Sequence, residues 1–265
     1  MSKSALDRNA VRKALFEFIL IFVGVLAALA VNQWQQNRKD RLFLTQQLES
    51  IVNEVDNNLY TIKNVQNRMI PAKLEALGEV ITTLGSSAPQ INNPEMFLAK
   101  LSISSMGNSV WFTRNRYDAL RSSGNFRIIG NRELEDNLSD TYQGLSVLLP
   151  QADRLAAGYP ALVQQLLPAN EQSEHNILRT YIPLNHMETA PVVPDAMTQN
   201  EAIKAIIAER EQLVRLARSE VAVTTANWYA LERIKMQFEK LRVELLAHPA
   251  LKGVQFNDAQ DSAKK

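Results

Sequence analysis

Residues 14–31 read ALFEFILIFVGVLAALAV, and this stretch decides the architecture of the chain. It holds 18 residues and a single charge, Glu17. Roughly 20 apolar residues are needed for a helix to cross the ~30 Å hydrocarbon layer of a bilayer. Trp34 follows where an interfacial aromatic residue is expected, and basic residues flank the run on both sides. The stretch therefore predicts a transmembrane anchor over residues 14–34, with the lipid bilayer as the first partner.

A cleavable signal peptide is the alternative interpretation of this stretch. A basic start, an apolar run and the triplet Ala28-Leu29-Ala30 match the pattern of such a peptide. The length of the run and its Asn-Gln-Trp ending, residues 32–34, favour a retained anchor. A short basic head (residues 1–13) before one span and a large body is the usual layout of a signal anchor. We therefore expect a single-pass protein of the bacterial inner membrane, with a cytoplasmic head and a periplasmic body.

A helical wheel divides the predicted anchor into two faces. One of them, the small-residue face, carries Gly24 and Ala28 four residues apart, with Glu17 on the same side. Lipid supplies no hydrophobic drive for helix association, so close backbone approach and polar contacts must hold transmembrane helices together. We expect this face to contact another helix, in a homo-oligomer or in a partner membrane protein; alternatively, Glu17 only extends to the headgroups. The predicted contact face consists of Glu17, Leu20, Gly24, Ala27, Ala28, Val31 and Asn32.

The composition argues against several classes of function. The chain has 265 residues, with 29 basic against 28 acidic side chains, and this balance gives no sign of nucleic-acid binding. The absence of cysteine excludes disulfides, thiolate metal sites and cysteine nucleophiles. Neither G-x-S-x-G, a P-loop, G-x-G-x-x-G nor H-E-x-x-H occurs. A hydrolase, the third hypothesis for the function, therefore lacks a nucleophile constellation. We expect no enzyme, no catalytic residue, no cofactor and no metal site.

One group of potential metal ligands lies between residues 168 and 197, an irregular crossover with four prolines. Their spacing matches no zinc signature, so we interpret them as solvated loop side chains. The group comprises Glu171, Glu174, His175, His186 and Glu188.

The rest of the chain predicts an all-α protein in which the anchor continues into a long helix and an antiparallel bundle. Neither Gly nor Pro occurs between Gln33 and Pro71, where a kink or restart is expected. Thr198 and Glu201 form a capping box that opens a second long helix, predicted to run unbroken to residue 248. Two long striped helices pair most simply in antiparallel fashion, with shorter helices between them. The body is thus predicted over residues 35–250 and a disordered tail over 251–265. The apolar stripe of the first long helix is Leu44, Leu48, Ile51, Val55, Leu59, Ile62 and Met69.

Two motifs resemble a family of bacterial single-pass membrane proteins of unknown function. The first is the span that closes on Asn32-x-Trp34, and the second is a Tyr-x-Ala-Leu-x-Ser-Ser-Gly-Asn run at residues 117–125. The resemblance covers the anchor and the middle third of the chain. It implies an anchored helical protein and transfers no catalytic residue. The match continues in Ile129, Asn131, Glu133, Leu134, Leu138 and Tyr142.

The same middle region holds the strongest candidate for a binding site. Guanidinium groups beside aromatic rings can bind a carboxylate, a phosphate or a lipid headgroup. Alternatively, the aromatic rings (with Phe112 and Leu120) pack the core, and the arginines are solvated or pair with Asp118 and Glu133. The candidate anion or ligand site consists of Trp111, Arg114, Arg116, Tyr117, Arg121 and Arg127.

Two functions follow from these features. The first is a structural or interaction protein, a subunit or accessory of a membrane complex or a homo-oligomer. The second is a periplasmic sensor or binding module for a small anion. No later stretch approaches 18 apolar residues, so such a sensor would have to signal through a partner.

Overall fold

The computed structural model describes residues 8–107, 110–156, 158–167, 198–254 and 256. All regular structure in these ranges is helical, which confirms the all-α prediction. The crossover with its five candidate metal ligands lies outside the described residues, as do most of the tail and the first seven residues of the head. The α-helices are α1 (Arg8–Asn64), α2 (Ile70–Leu84), α3 (Pro94–Ser104), α4 (Asn115–Ser122), α5 (Arg132–Ala156), α6 (Gly158–Leu166), α7 (Gln199–Ala208) and α8 (Arg210–Ala247).

The first two helices form one continuous rod. Leu15–Leu84 is helical over 70 residues, and its most apolar 18-residue window has a mean hydropathy of 2.4 with no part buried. This helix is long and apolar enough to cross a membrane near the N-terminus. The kink or restart expected at Pro71 takes the form of a π-helical turn, Val65–Met69, after which α2 begins with the proline in its first turn. A widened turn relieves the clash between a proline ring and the carbonyl four residues earlier.

The long helices pair in antiparallel fashion, as predicted. Residues further along α1 and α2 contact residues that come earlier in α8. The two long helices therefore run in opposite directions. The contacts that fix this direction are Thr45 with Ala250 (3.1 Å), Asp56 with Arg242 (2.5 Å), Gln66 with Trp228 (3.3 Å) and Lys73 with Glu220 (2.5 Å).

Two hydrophobic cores lie along this pair. The proximal core, nearer the anchor, is built from α1, α4, α5 and the second half of α8. The distal core is built from α2, α3, α6, α7 and the first half of α8. Partly buried Leu74 packs against both cores. The predicted stripe on α1 faces the proximal core, where Leu48, Ile51 and Ile62 are fully buried.

The second long helix is not continuous, in contrast to the expectation. Its chain turns at Glu209 (φ −93°, ψ 11°), between α7 and α8. No Gly or Pro accounts for the turn. Its reason is tertiary, because both helices pack on α6 but only α7 packs on α3, whereas α8 continues along α1, α2 and α5. The turn lets one apolar stripe follow two sets of neighbours.

Local signals at the helix ends are confirmed. The side chains of Asn93 and Asn131 accept hydrogen bonds from the amides three residues later, at 3.0 and 3.3 Å. Thr198 and Glu201 form the reciprocal capping box. Gly124 adopts φ 72°, the left-handed conformation that ends α4. At the other end of the body, Leu251 is buried in the proximal core, so packed structure extends beyond residue 250.

Candidate functional site

The anchor stands clear of the bundle on all sides. Every described side chain from residue 15 to residue 43 is exposed, which includes the whole predicted contact face. A Cβ built on Gly24 would meet no atom within 4 Å. No packing within the described chain therefore requires a small residue at this position. The predicted contact with another helix stays a prediction.

A short stalk separates the anchor from the bundle. It runs from Trp34 to Phe43, a rise of about 15 Å at 1.5 Å per residue. The Arg38 guanidinium lies 5.9 Å from the centre of the Trp34 ring, within the range of a cation–π contact. From Leu44 onward α1 packs against the proximal core, so most of the predicted apolar stripe lies inside the bundle.

The segment before α4 turns one large aromatic residue outward. Val110 is buried and Phe112 packs against Phe238, with ring centres 6.1 Å apart. Trp111 lies between these two inward-facing residues and is 89% exposed. This differs from the alternative interpretation of the sequence, in which the indole packs the core.

A buried asparagine holds this segment in place. The Asn58 side chain accepts hydrogen bonds from the Thr113 amide (2.9 Å) and hydroxyl (3.0 Å). Its own amide donates to the Thr113 carbonyl at 2.8 Å. Asn58 is fully buried, and losing such bonds inside a core is costly. The backbone next to Trp111 is therefore fixed to α1.

A carboxylate from α1 caps the start of α4. Glu54 accepts hydrogen bonds from the amides of Arg116 (2.7 Å) and Tyr117 (3.3 Å). These amides have no partner within their own helix, and a negative charge at a helix N-terminus is also favoured by the helix dipole. Glu54 is buried, so these bonds compensate for the solvation that its charge loses.

Tyr117 belongs to the core. Its ring stacks on Tyr142 with centres 4.4 Å apart, and Tyr142 meets Phe238 edge-on at 5.7 Å. Burial raises the pKa of the Tyr142 hydroxyl, and the nearby negative charge of Glu54 raises that pKa further. This hydroxyl makes no hydrogen bond within 3.5 Å in the described part of the chain. The interpretation that Tyr117 is structural therefore has a direct geometric basis.

The four arginines of the candidate site have different environments. Arg114 forms two hydrogen bonds with Asp118, at 2.8 and 3.0 Å, and Arg121 donates to the Tyr117 hydroxyl at 3.1 Å. Arg116 and Arg127 are exposed. Trp111 and the exposed arginines thus lie on the outside of the bundle, while Tyr117 lies within it. The predicted anion site stays a prediction.

A second polar site, not predicted from the sequence, lies between the two cores. Lys73 and Glu220 form an ion pair at 2.5 Å, and their side chains are 3% and 1% exposed. Lys73 also donates to the Met106 carbonyl at 2.5 Å. Burial lowers the pKa of Lys73, and Glu220 partly offsets that effect. We call this region the polar layer; its other buried members are Gln66, Ser104, Thr224 and Asn227.

The polar layer is hydrogen-bonded at its edges and contains a small space. Ser104 donates to the Leu101 carbonyl (2.7 Å), so its oxygen accepts the hydrogen bond from the Tyr159 hydroxyl, also 2.7 Å long. Lys73, Met106 and Asn227 line a small cavity. The volume that the centre of a water molecule could occupy in it is about 20 Å³. That volume suits a single water. It does not suit an organic ligand.

The spacing of buried residues on α8 is the sequence signal from which the polar layer could have been predicted. Buried positions on α8 recur every three or four residues from Leu213 to Leu245. Glu220, Thr224 and Asn227 fall on that stripe, where apolar residues are expected. A charged residue on a core-facing stripe predicts a buried partner, which here is Lys73.

Comparisons with known proteins leave the family assignment open. No family model matches the chain, and no significant match is found among curated proteins or solved structures. The resemblance to bacterial single-pass membrane proteins therefore stays a prediction. Among the described residues, no three His, Cys, Asp or Glu side chains are grouped so that they could hold a metal ion.

Proposed function

We propose that this chain is a single-pass, membrane-anchored structural or interaction protein of the bacterial inner membrane, with its helical body in the periplasm. It would act as a subunit or accessory of a membrane complex, or as a homo-oligomer. The observation that carries this proposal is an anchor that continues as helix into a packed bundle while its described side chains, residues 15–34, are all exposed.

The small-residue face supports a helix as the anchor's partner. Gly24 and Ala28 permit close backbone approach, and nothing else in the described chain makes use of that space. Glu17 lies on the same side, and an ionisable group within a span usually faces protein or water rather than lipid tails. Both features suit an assembly within the membrane.

Copurification from native membranes tests the proposal. We expect the double variant Gly24→Leu/Ala28→Leu to lose its partner, or its self-association, after mild detergent extraction and crosslinking. The control Leu26→Phe/Leu29→Phe adds bulk on the opposite side of the helix and should behave as wild type. Equal recovery of all three proteins would contradict the proposal, as would release of the wild-type chain from membranes by carbonate.

A further inference from the structure

We propose that the exposed surface around Trp111 is a docking site for the periplasmic part of another protein, one that offers an apolar pocket edged with carboxylates. The surface consists of Trp111, of Tyr60 on α1 and of Arg116 in the first turn of α4. This inference rests on the proposed function and adds a contact outside the membrane.

The first support is the way in which the indole is presented. Trp111 is 89% exposed, although Trp is a residue that folded chains usually bury. Burial of Val110 and the Asn58 clamp on Thr113 hold its backbone on both sides. A side chain on a fixed backbone loses little conformational freedom on binding, which favours affinity. Packing of the core does not require an exposed Trp at this position.

The second support is the composition of the surface. Tyr60 is 54% exposed and lies one helical turn beyond Asn57, whose amide donates to the Thr113 hydroxyl at 3.3 Å. Arg116 is exposed and makes no ion pair among the residues that the structure describes. Trp, Tyr and Arg are the residue types that most often dominate the energy of protein–protein interfaces.

Charge decides the chemistry of the partner. Two acidic groups close to Arg116 along α4 are already engaged, since Glu54 accepts from the Arg116 amide and Asp118 pairs with Arg114. The Arg116 guanidinium is thus left without an ion-pair partner among the described residues and supplies a positive charge on this surface. Carboxylates on the partner would complement it, with bidentate pairing favoured for arginine. Two copies anchored in one membrane, related by a twofold axis along its normal, would instead bring like charges together.

Height above the membrane excludes lipid headgroups as the occupant. Thr113 is bound to Asn58, which lies 27 residues beyond Val31 on one continuous helix. At 1.5 Å per residue this is about 40 Å from the end of the apolar run. A helix tilt of 40° would still leave about 30 Å. Electrostatic attraction in physiological salt decays over about 8 Å, so the anchoring bilayer does not reach this surface.

Site-specific photocrosslinking in living cells tests the proposal on the full-length chain. A photoreactive phenylalanine analogue replaces Asn115, an exposed residue between Trp111 and Arg116. We expect one adduct of defined mass in which the added mass is a protein other than this chain. A matched probe at exposed Val243 on α8 should not give the same adduct.

Capture alone is not sufficient, so the adduct must depend on the two side chains that define the surface. Trp111→Ala and Arg116→Glu should each lower its yield about tenfold, in line with interface anchor residues. Arg116→Lys should retain most of it. Because both side chains are exposed, the variants should melt as wild type does, which separates a lost contact from a misfolded chain.

Every other result overturns the proposal. An adduct at twice the mass of this chain would identify a second copy, and a heterogeneous glycan or lipid adduct would identify another class of ligand. A missing adduct, or one insensitive to both variants, would show that no partner docks here. Gly24→Leu/Ala28→Leu separates the two proposals: loss of copurification with the Asn115 adduct intact supports both, and an intact copurification without the adduct refutes this surface alone.

Discussion

The proximal and distal cores share the same two long helices but differ in chemistry. The proximal core is centred on aromatic rings, with Tyr117, Tyr142 and Phe238 in mutual contact. The distal core is mainly aliphatic, and Phe97 and Tyr159 are its only buried aromatic residues in the part of the chain that the structure describes. Rings of fixed shape impose their relative orientation, whereas aliphatic side chains adapt more readily. The half joined to the anchor is thus the one in which stacked rings constrain each other's orientation.

The polar layer marks the boundary between these halves. A buried ion pair rarely stabilises more than well-packed apolar residues would, because both charges lose their hydration. The pair instead fixes the register of α2 against α8, since a buried Lys73 or Glu220 without the other would be an uncompensated charge. The comparison therefore predicts two halves that are aligned by the layer and can loosen separately.

Breaking the ion pair should have the largest effect. Lys73→Met leaves Glu220 buried without its cation and should lower the free energy of unfolding by about 3–5 kcal/mol. Urea unfolding of the full chain in detergent measures this. The double variant Lys73→Met/Glu220→Met removes both charges and should recover most of the loss. A double variant as unstable as the single one would show that the pair contributes more than charge compensation.

One leucine from each core separates the halves. Leu138 and Leu98 are both fully buried, in the proximal and distal core respectively. Replacement of either by Ala should cost about 2–5 kcal/mol. Hydrogen exchange followed by mass spectrometry should then show lost protection confined to α2, α3 and α6 for Leu98→Ala, and confined to α4, α5 and the second half of α8 for Leu138→Ala. Identical maps for the two variants would contradict the division.

A smaller effect is expected at the distal end, where Thr198 caps α7. Thr198→Ala should cost about 1 kcal/mol, as measured for other N-caps. The hydrogen bonds from Thr198 also lower the pKa of Glu201. The folded-state pKa is then below the unfolded one, so this stabilisation is complete above the unfolded pKa and lost as pH falls through the lowered value.

Thermal melts of the wild type and of Glu201→Gln across the acidic range test this sign. The difference in melting temperature between the two proteins should shrink as the pH falls. A difference that grows toward acid would contradict the assignment.

The smallest effect is expected for Tyr142→Phe in the proximal core. This substitution keeps the ring stacked on Tyr117 and removes a buried hydroxyl that has no hydrogen bond to the described part of the chain. Such a change should be neutral or stabilise by up to about 1 kcal/mol. A loss beyond 1 kcal/mol in urea unfolding would show that the hydroxyl contributes, through Glu54 or a bound water.

Sequence periodicity was sufficient for the long elements and for most helix ends. A stripe that recurs every three or four residues over dozens of positions leaves few alternatives to a pair of long helices. Asn93, Asn131 and Thr198 accept hydrogen bonds from amides three residues later, so a window of four residues is enough to predict their effect. These features depend on local chemistry, and the structure agrees with them.

Features set by distant contacts were not predictable in the same way. The turn at Glu209 reflects the different neighbours of α7 and α8, and no residue at the turn signals it. Trp111 points outward because Asn58, more than fifty residues earlier, fixes the backbone beside it. The polar layer was encoded on the α8 stripe, but naming Lys73 as the partner of Glu220 required the antiparallel register.

Because one helix runs from Leu15 to Leu84, the direction in which the bundle faces is set by how the apolar segment is rotated about its own axis. Each residue turns an α-helix by about 100°, so one residue added between Trp34 and Phe43 would swing the Trp111 surface by more than a quarter of a circle and raise it about 1.5 Å. Seven added residues, close to two full turns, would nearly restore the heading and raise the surface about 10 Å. A partner that makes both proposed contacts, at the small-residue face and at the Trp111 surface about 40 Å above it, could not keep both after either insertion. One added residue would rotate the Trp111 surface away from it, and seven would displace that surface along the membrane normal.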